Sequence, residues 1–165
     1  PLCAAHGWRA LVGQHTLGDR LVPAEPELAP ESAESQVIEH PMNYTLAQEF
    51  YFDAAHSLNR SVEIEPSRRI HGHSYHVEVM LTGTPDPSTG MIMDLAVLRA
   101  AIDAARTELD HRMLNDIAEL GPPTIENLAT YLLAFLSKRV SSVSGVTVAR
   151  RASGDRCTLT RQPDV

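Results

Sequence analysis

The chain has 165 residues, of which 43% are apolar, and it carries a formal charge of −7 at pH 7. A chain of this length can bury the core of one domain, and an acidic chain without a basic stripe is poorly suited to bind nucleic acid. It has two cysteines and no apolar run or signal-peptide pattern that predicts a membrane, so we expect a cytoplasmic protein without a disulfide framework.

The first 41 residues have a composition unlike the rest. Proline, alanine and glutamate dominate the stretch from Pro23 to Glu31, and such a mixture buries too little apolar surface to become ordered. The chain starts at Pro1, whereas Met42 stands directly before the first strand pattern. We therefore predict that residues 1–41 are a disordered or non-native extension and that residues 42–165 form a single domain.

Two strands are predicted next. Residues 44–56 are strand-like and rich in aromatic side chains, and residues 73–82 alternate apolar with polar side chains. Residues 57–70 between them are polar and are predicted to be a loop. Loops held beside a rigid scaffold commonly carry functional side chains.

Two helices follow the strands. Asp94 is predicted to cap the first helix, which ends near Asp110, and Thr124 is predicted to cap the second. Each helix has one apolar face at helical spacing. The predicted faces are Leu95, Leu98, Ile102, Ala105 and Leu109 in the first helix, and Ile125, Leu128, Leu132 and Phe135 in the second.

The chain ends in a predicted hairpin. Gly145 is expected to close the helical region, and residues 146–150 and 156–160 are expected to pair around a turn at residues 153–155. The predicted order is strand, strand, helix, helix, strand, strand (ββααββ). This order indicates an α+β fold, in which an antiparallel β-sheet has two helices packed on one face.

Three histidines form a candidate metal site. In a strand, His71 and His73 project from the same face, and His56 shares the parity of Phe52 in the first strand, so pairing of the two strands could add a third imidazole. Three histidines with a fourth position open are typical of catalytic zinc. The alternative is that these are polar residues on a strand face. His76 has the opposite parity and is left out of the site.

Five short segments occur in order between about Tyr44 and Thr160, and together they are more specific than any one of them. They are Phe52–His56, His71–Tyr75, Gly90–Asp94, Leu109–Asn115 and Pro123–Ala129. In this order and spacing they strongly resemble the 6-pyruvoyltetrahydropterin synthase and 6-carboxytetrahydropterin synthase family.

The resemblance implies a tunnelling fold (T-fold), in which subunits join through their sheets into a barrel, commonly a homohexamer. It implies that His56, His71 and His73 bind Zn²⁺ and that the substrate is a small pterin, 7,8-dihydroneopterin triphosphate. It also implies a lyase reaction that makes 6-carboxy-5,6,7,8-tetrahydropterin, a precursor of queuosine and other deazapurines, or a related tetrahydropterin.

The resemblance further implies a proton relay at Asp110 and His111. In the family the matching aspartate and histidine act with a cysteine, and the aspartate orients the histidine that exchanges protons. The residues alone leave another interpretation open. A helix C-terminal ion pair would also be favourable at this place, because a cationic histidine suits that end of the helix dipole.

The sequence departs from the family at the cysteine. The family positions for this residue hold Ser67 and Glu65 here. A serine hydroxyl is too weakly acidic to replace a thiolate unaided, whereas a partly buried carboxylate such as that of Glu65 can act as a general base. Family members that use a loop glutamate make 6-hydroxymethyl-dihydropterin. Glu63 is a more distant candidate, and Cys157 is expected to be a small buried hydrophobe.

A second departure concerns the pterin. Relatives carry a pterin-anchoring glutamate on the strand after the second helix, where this chain has Arg150 and Arg151. An arginine donates where a pterin edge needs an acceptor. Either Asp155 replaces the glutamate or the ligand is not an ordinary pterin. Thr124, Arg150 and Asp155 are the candidate substrate-binding residues.

Several arginines could also bind a triphosphate or a carboxylate if they face the pocket. They are Arg68, Arg69, Arg150 and Arg151. Two further functions remain open, namely a zinc enzyme acting on another substrate and a binding module without catalysis.

Overall fold

The structure, a computed structural model, describes residues 42–161. The prediction for residues 1–41 therefore lies outside the described residues. The described chain forms four strands and three helices in the order β1 (Tyr44–His56), α1 (Ile64–Arg68), β2 (His71–Gly83), α2 (Leu95–Leu109), α3 (Ile125–Ser137), β3 (Val143–Arg150) and β4 (Asp155–Thr160). Two short 3-10 turns, Leu114–Asp116 and Ala118–Leu120, connect α2 with α3.

The strands form one antiparallel sheet in the order β1-β2-β3-β4. Alternation of side chains gives the sheet one apolar face. Phe52 of β1 stands opposite Tyr75 of β2, and their rings stack with centroids 5.1 Å apart. Both side chains are fully buried, so this pair anchors the core directly beside the end of the sheet that carries the histidines.

Both long helices begin at the predicted caps. Asp94 Oδ1 accepts a hydrogen bond from the Ala96 amide at 2.8 Å, and Thr124 Oγ1 accepts one from the Asn127 amide at 3.2 Å. These bonds satisfy backbone donors that the first helical turn leaves free. α2 packs against β1, and α3 packs against β3 and β4. The buried helix residues are Leu98, Ala101, Ile102, Ala105 and Leu109 of α2, and Leu128, Ala129, Leu132 and Leu136 of α3.

The predicted α+β class and the ββααββ order are confirmed, with two corrections. Residues 57–70 were predicted to be a loop, but five of them form α1. Gly145 was expected to close the helical region, yet it lies inside β3. A Cβ atom there would stand 2.9 Å from Met80 Cε and 3.1 Å from the Leu159 carbonyl oxygen. The close approach of neighbouring strands therefore explains this glycine.

The segment after α2 runs along the outer edge of β1. The His111 amide donates to the Asp53 carbonyl at 2.6 Å, and the Ala55 amide donates to the Arg112 carbonyl at 3.0 Å. Ala55 and Met113 form a parallel bridge. This segment covers the last part of an edge strand whose donors would otherwise be free. Within residues 42–161, no helix has the length and hydropathy that a membrane span requires.

Candidate metal and substrate site

The three predicted histidines meet at one end of the sheet. His56 pairs with His71 across the two strands, and Ala54 pairs with His73, so all three imidazoles project on the same face. The Nε2 atoms of His71 and His73 each lie 3.1 Å from Nε2 of His56. Zinc bonds to imidazole of ~2.0–2.1 Å in a tetrahedral site place two ligand nitrogens about 3.3 Å apart. The arrangement therefore fits one metal ion.

Hydrogen bonds on the far side of the rings fix the nitrogen that faces the metal position. His56 Nδ1 lies 2.8 Å from the Pro123 carbonyl oxygen, and His71 Nδ1 lies 2.8 Å from the Arg69 carbonyl oxygen. A carbonyl only accepts, so each Nδ1 carries a proton and donates it. Each neutral ring then has its lone pair on Nε2. This outer support is the arrangement that orients histidine ligands at metal sites.

The site also favours neutral imidazoles. Burial, more than the neighbouring positive charges, lowers the pKa of His56 below its usual range. Burial, followed by the Arg150 guanidinium and the two other histidines, lowers the pKa of His73 from 6.5 to about 4. Metals bind the unprotonated ring. The lone pairs of His56 and His73 are thus available at neutral pH without displacement of protons from these two rings.

We expect the metal-free protein to lose stability as the pH falls. The unfolded chain takes up a proton on His73 near pH 6.5, whereas the folded chain does so only near pH 4. A folded pKa below the unfolded value means that this stability is fully present above pH 6.5 and is lost as the pH falls toward 4. Thermal unfolding of the metal-free protein between pH 7.5 and 4 would measure how steeply stability falls with pH. His73→Gln should flatten the dependence of stability on pH, and equal slopes in the wild type and this variant would contradict a lowered pKa of His73.

A cavity of about 790 Å³ opens beside the three imidazoles. His71 and His73 are in its lining, which continues over the loop before α1 and the start of α3. The charged side chains around it are Arg60, Glu63, Glu126, Arg150 and Asp155. A concave site with a few converging polar groups next to a metal position is the usual form of a small-molecule site.

Ser67 and Glu65 stand where members of the family carry the catalytic cysteine, and only Ser67 lines this cavity. Ser67 is buried, and its hydroxyl donates to the Ile64 carbonyl at 2.9 Å. Glu65 lies on α1 with an exposed side chain and is not among the lining residues. Glu63 does line the cavity, with a left-handed backbone (φ 53°) and an ion pair to Arg60 at 3.1 Å. From the sequence, Glu63 was the more distant of the two glutamates considered as the general base.

The three candidate substrate-binding residues all line the cavity. Thr124 Oγ1 accepts the helix-capping hydrogen bond, so its own proton is still available to a ligand. Arg150 Nη2 donates to Asp155 Oδ2 at 2.7 Å, and Ser153 Oγ donates to the same oxygen at 2.7 Å. The Ser153 hydroxyl and then the guanidinium hold the pKa of Asp155 below its usual range. Asp155 is therefore a carboxylate already engaged by two donors.

The other arginines proposed for an anion do not line this cavity. Arg68 Nε donates to Asn59 Oδ1 at 3.1 Å. Arg151 makes an ion pair with Glu49 at 3.3 Å, at a different place on the sheet. Arg60 was not singled out in the sequence, although it lines the cavity.

His111 lines a second cleft, and Asp110 contacts His111 beside it. Asp110 Oδ1 accepts from the Asp53 amide at 3.0 Å and lies 3.2 Å from His111 Nδ1. The amide hydrogen bond, more than His111 or Arg106, lowers the pKa of Asp110. The cleft, of about 510 Å³, is lined by His111, by Gly72 and His73, and by Asp53 and Ser74, whose parity is opposite to that of the metal-site histidines. Within residues 42–161 no hydrogen bond or ion pair joins this pair to the three histidines.

Cys157, expected to be a small buried hydrophobe, is partly buried. It stands opposite Val148 in the sheet, packs against the core and is not among the residues lining the cavity. Burial, and then the charge of Glu126, raises the pKa of its thiol. A raised pKa disfavours the nucleophilic thiolate.

Comparison with known proteins agrees with this geometry. Residues 45–162 match the family described as 6-pyruvoyl tetrahydropterin synthase. A 6-carboxy-5,6,7,8-tetrahydropterin synthase of Synechocystis is 37% identical over 100 residues, which are 58% of this chain and 76% of that protein. A dihydroneopterin monophosphate aldolase of Pyrococcus furiosus is 37% identical over 89 residues, which are 54% of this chain and 71% of that protein.

The fold is shared with solved structures as well. The 6-pyruvoyl tetrahydropterin synthase of Caenorhabditis elegans superimposes with a TM-score of 0.65 and 26% identity, over 73% of this chain and 97% of that chain. The four-stranded sheet with its packed helices is thus the T-fold. The family match spans the whole described domain, including the strand ends that carry the three histidines. This chain therefore belongs to the 6-pyruvoyl tetrahydropterin synthase family.

Proposed function

We propose that this protein is a zinc-dependent lyase that converts 7,8-dihydroneopterin triphosphate to 6-carboxy-5,6,7,8-tetrahydropterin or a closely related tetrahydropterin. The observation that carries the proposal is the convergence of three Nε2 atoms, with 3.1 Å between His56 and each of the other two. Support comes from the Synechocystis relative, which bears the name of that synthase. We also propose that the product is used as a precursor of queuosine.

The site suits removal of a proton from a substrate carbon that bears an oxygen. Zinc held by His56, His71 and His73 would supply a Lewis acid that makes the C–H next to a bound substrate oxygen more acidic. The chain's own contribution is to present three converging imidazole rings, two of them oriented by backbone carbonyls. The cavity walls from the α1 loop and the start of α3 would then orient the ligand and exclude water.

Asp110 and His111 are proposed to exchange the proton. Asp110 is held as a carboxylate by the Asp53 amide, so it can accept from His111 Nδ1 and leave Nε2 as the exchanging atom. Because the pair lies at a different cleft from the cavity of its own chain, we propose that it completes the metal site of a neighbouring copy. His111 is 78% exposed within one chain, which leaves it free to reach across an interface.

Assembly through sheet edges is part of this proposal. In the described chain β4 pairs only with β3, and the first part of β1, from Tyr44 to Phe52, pairs only with β2. Free edge strands pair readily with strands of another chain. A homohexameric barrel or another closed T-fold ring would use both edges and bring the clefts of different copies together.

Product analysis would test the reaction. Zinc-loaded protein would be incubated with 7,8-dihydroneopterin triphosphate, and the products would be identified by mass spectrometry. A new tetrahydropterin that the Asp110→Asn/His111→Ala double variant does not make would support the lyase. Unchanged substrate with zinc fully bound would contradict it and favour a binding module or an enzyme with another substrate.

A second candidate reaction uses a loop glutamate as the base and makes 6-hydroxymethyl-dihydropterin. It is favoured by the similarity to an aldolase acting on dihydroneopterin monophosphate and by the acids of the loop, Glu63 and Glu65. If Glu65 is the base, Glu65→Gln should lower turnover by about 10²- to 10⁴-fold, whereas Ser67→Ala should not. Glu63→Gln is the matched variant, since Glu63 lines the cavity. Full activity in both glutamine variants would contradict this candidate.

A further inference from the structure

Arg150 occupies an unusual position beside the three histidines. It is the last residue of β3, and its side chain is 21% exposed. Nη2 is engaged by Asp155, whereas Nη1 lies 3.5 Å from His73 Nε2. Nε is buried and has no hydrogen-bond partner among the described residues. An arginine with a buried, unused donor is costly unless something else supplies the acceptor.

A metal bound to the histidines would leave Arg150 with still fewer hydrogen-bond acceptors. The Nε2 lone pair of His73 is the acceptor nearest to Arg150 Nη1, and a neutral imidazole has only one such lone pair. When a metal takes it, both Nη1 and Nε of Arg150 lack an acceptor. They would then stand beside a second positive charge, and two neighbouring cations repel unless an anion lies close to both.

The acids that line the cavity, within the described chain, leave Nη1 of Arg150 without an acceptor. Asp155 uses Oδ2 for Arg150 Nη2 and Ser153 Oγ. Glu63 is paired with Arg60. Glu126 also lines the cavity, but no hydrogen bond or ion pair joins it to Arg150 in residues 42–161. Arg150 lines the cavity, and none of these acids takes its Nη1 donor.

We propose that Arg150 and the metal together hold one anionic oxygen group of the ligand, a phosphate or a carboxylate. The inference rests on the proposed zinc site. The guanidinium fork supplies the directed donors that such groups prefer, and Asp155 fixes its orientation. Arg150 then acts as a specificity-determining residue. It favours ligands that present an anion to the metal end of the cavity, and it disfavours a heterocycle edge that presents only N–H donors there.

Calorimetric titration of the zinc-loaded full-length chain would test this. One titration uses inorganic phosphate and a separate one uses acetate. The anion that binds with the higher affinity identifies the kind of anionic group. Arg150→Gln is expected to weaken binding of the preferred anion by at least about tenfold, because it removes charge-assisted hydrogen bonds. Arg150→Lys, which keeps the charge without the fork, should recover part of the loss.

Arg151→Gln is the matched control. Arg151 is the next residue, is 61% exposed and pairs with Glu49 outside the cavity, so its loss should leave anion binding unchanged. Equal affinities in wild type and Arg150→Gln, with one zinc bound in each, would overturn the inference and leave the lyase proposal standing. Absence of zinc from the wild-type protein would overturn both.

Discussion

Replacing His71 with alanine is expected to abolish tight binding of zinc. His71 Nε2 is one of three converging lone pairs, and its ring is oriented by the Arg69 carbonyl. Loss of an outer partner alone commonly costs 10- to 100-fold in metal affinity, so loss of a ligand should cost more than about a hundredfold. The measurement is a competitive titration of zinc against a chelator of known affinity, with metal content determined by elemental analysis.

His71 is a better target than His56, because His56 is buried with 1% of its surface exposed and its loss could unfold the domain. The matched control is His76→Ala. His76 lies on the same strand with opposite parity, packs its ring near Tyr51 and is not part of the histidine group. Its loss should leave zinc affinity unchanged. Equal zinc affinity in wild type and His71→Ala would show that the three histidines do not form the metal site.

Replacing His111 is expected to lower product formation by about 10²- to 10⁴-fold, the usual contribution of a positioned acid or base. Asparagine is the substitution of choice. His111 has a left-handed backbone (φ 57°), and asparagine tolerates that conformation better than most residues. His111→Asn should therefore keep the fold and the zinc affinity while removing the imidazole that exchanges the proton. Steady-state kinetics would measure the loss of turnover, and a parallel zinc titration would show that zinc affinity is unchanged.

Complementation tests whether the relay serves a neighbouring copy. His71→Ala lacks metal and His111→Asn lacks the relay, so each protein alone should be inactive. Coexpression of both should give mixed oligomers in which an intact metal site of one copy meets an intact relay of another, and activity should return. Full activity of His111→Asn by itself would contradict the relay. Absence of recovery in confirmed mixed oligomers would instead indicate that each chain uses its own pair.

Much of the fold could be predicted because its signals are local. The alternation of Tyr75, Val77 and Val79 requires a strand with one buried face, and the caps at Asp94 and Thr124 specify where the helices begin. The length of the last strand pair was harder to predict. Gly145 looks like a terminator in the sequence, and only the approach of Met80 and Leu159 explains why it lies within a strand.

The convergence of the three histidines was predictable for the same reason. His71 and His73 share a face by parity alone, and only one long-range fact was needed, namely that β1 places His56 opposite His71. The location of Asp110 and His111 was harder to predict. Asp110 and His111 adjoin the helix end in the sequence, but backbone hydrogen bonds to Asp53 and Ala55 carry them along the outer edge of β1. That pairing depends on residues more than fifty positions apart.

Periodicity along short stretches predicts the order of the four strands and the two long helices, the face that each one buries, and the three histidines of the candidate metal site. Which charged residues reach the cavity depends on the tertiary fold. It placed Arg150 there and Arg151 outside, and it lined the cavity with Glu63 rather than Glu65. Neighbouring residues differ in this way because the direction of each side chain is fixed by the pairing of distant strands and by the backbone turn before α1, neither of which a local pattern records.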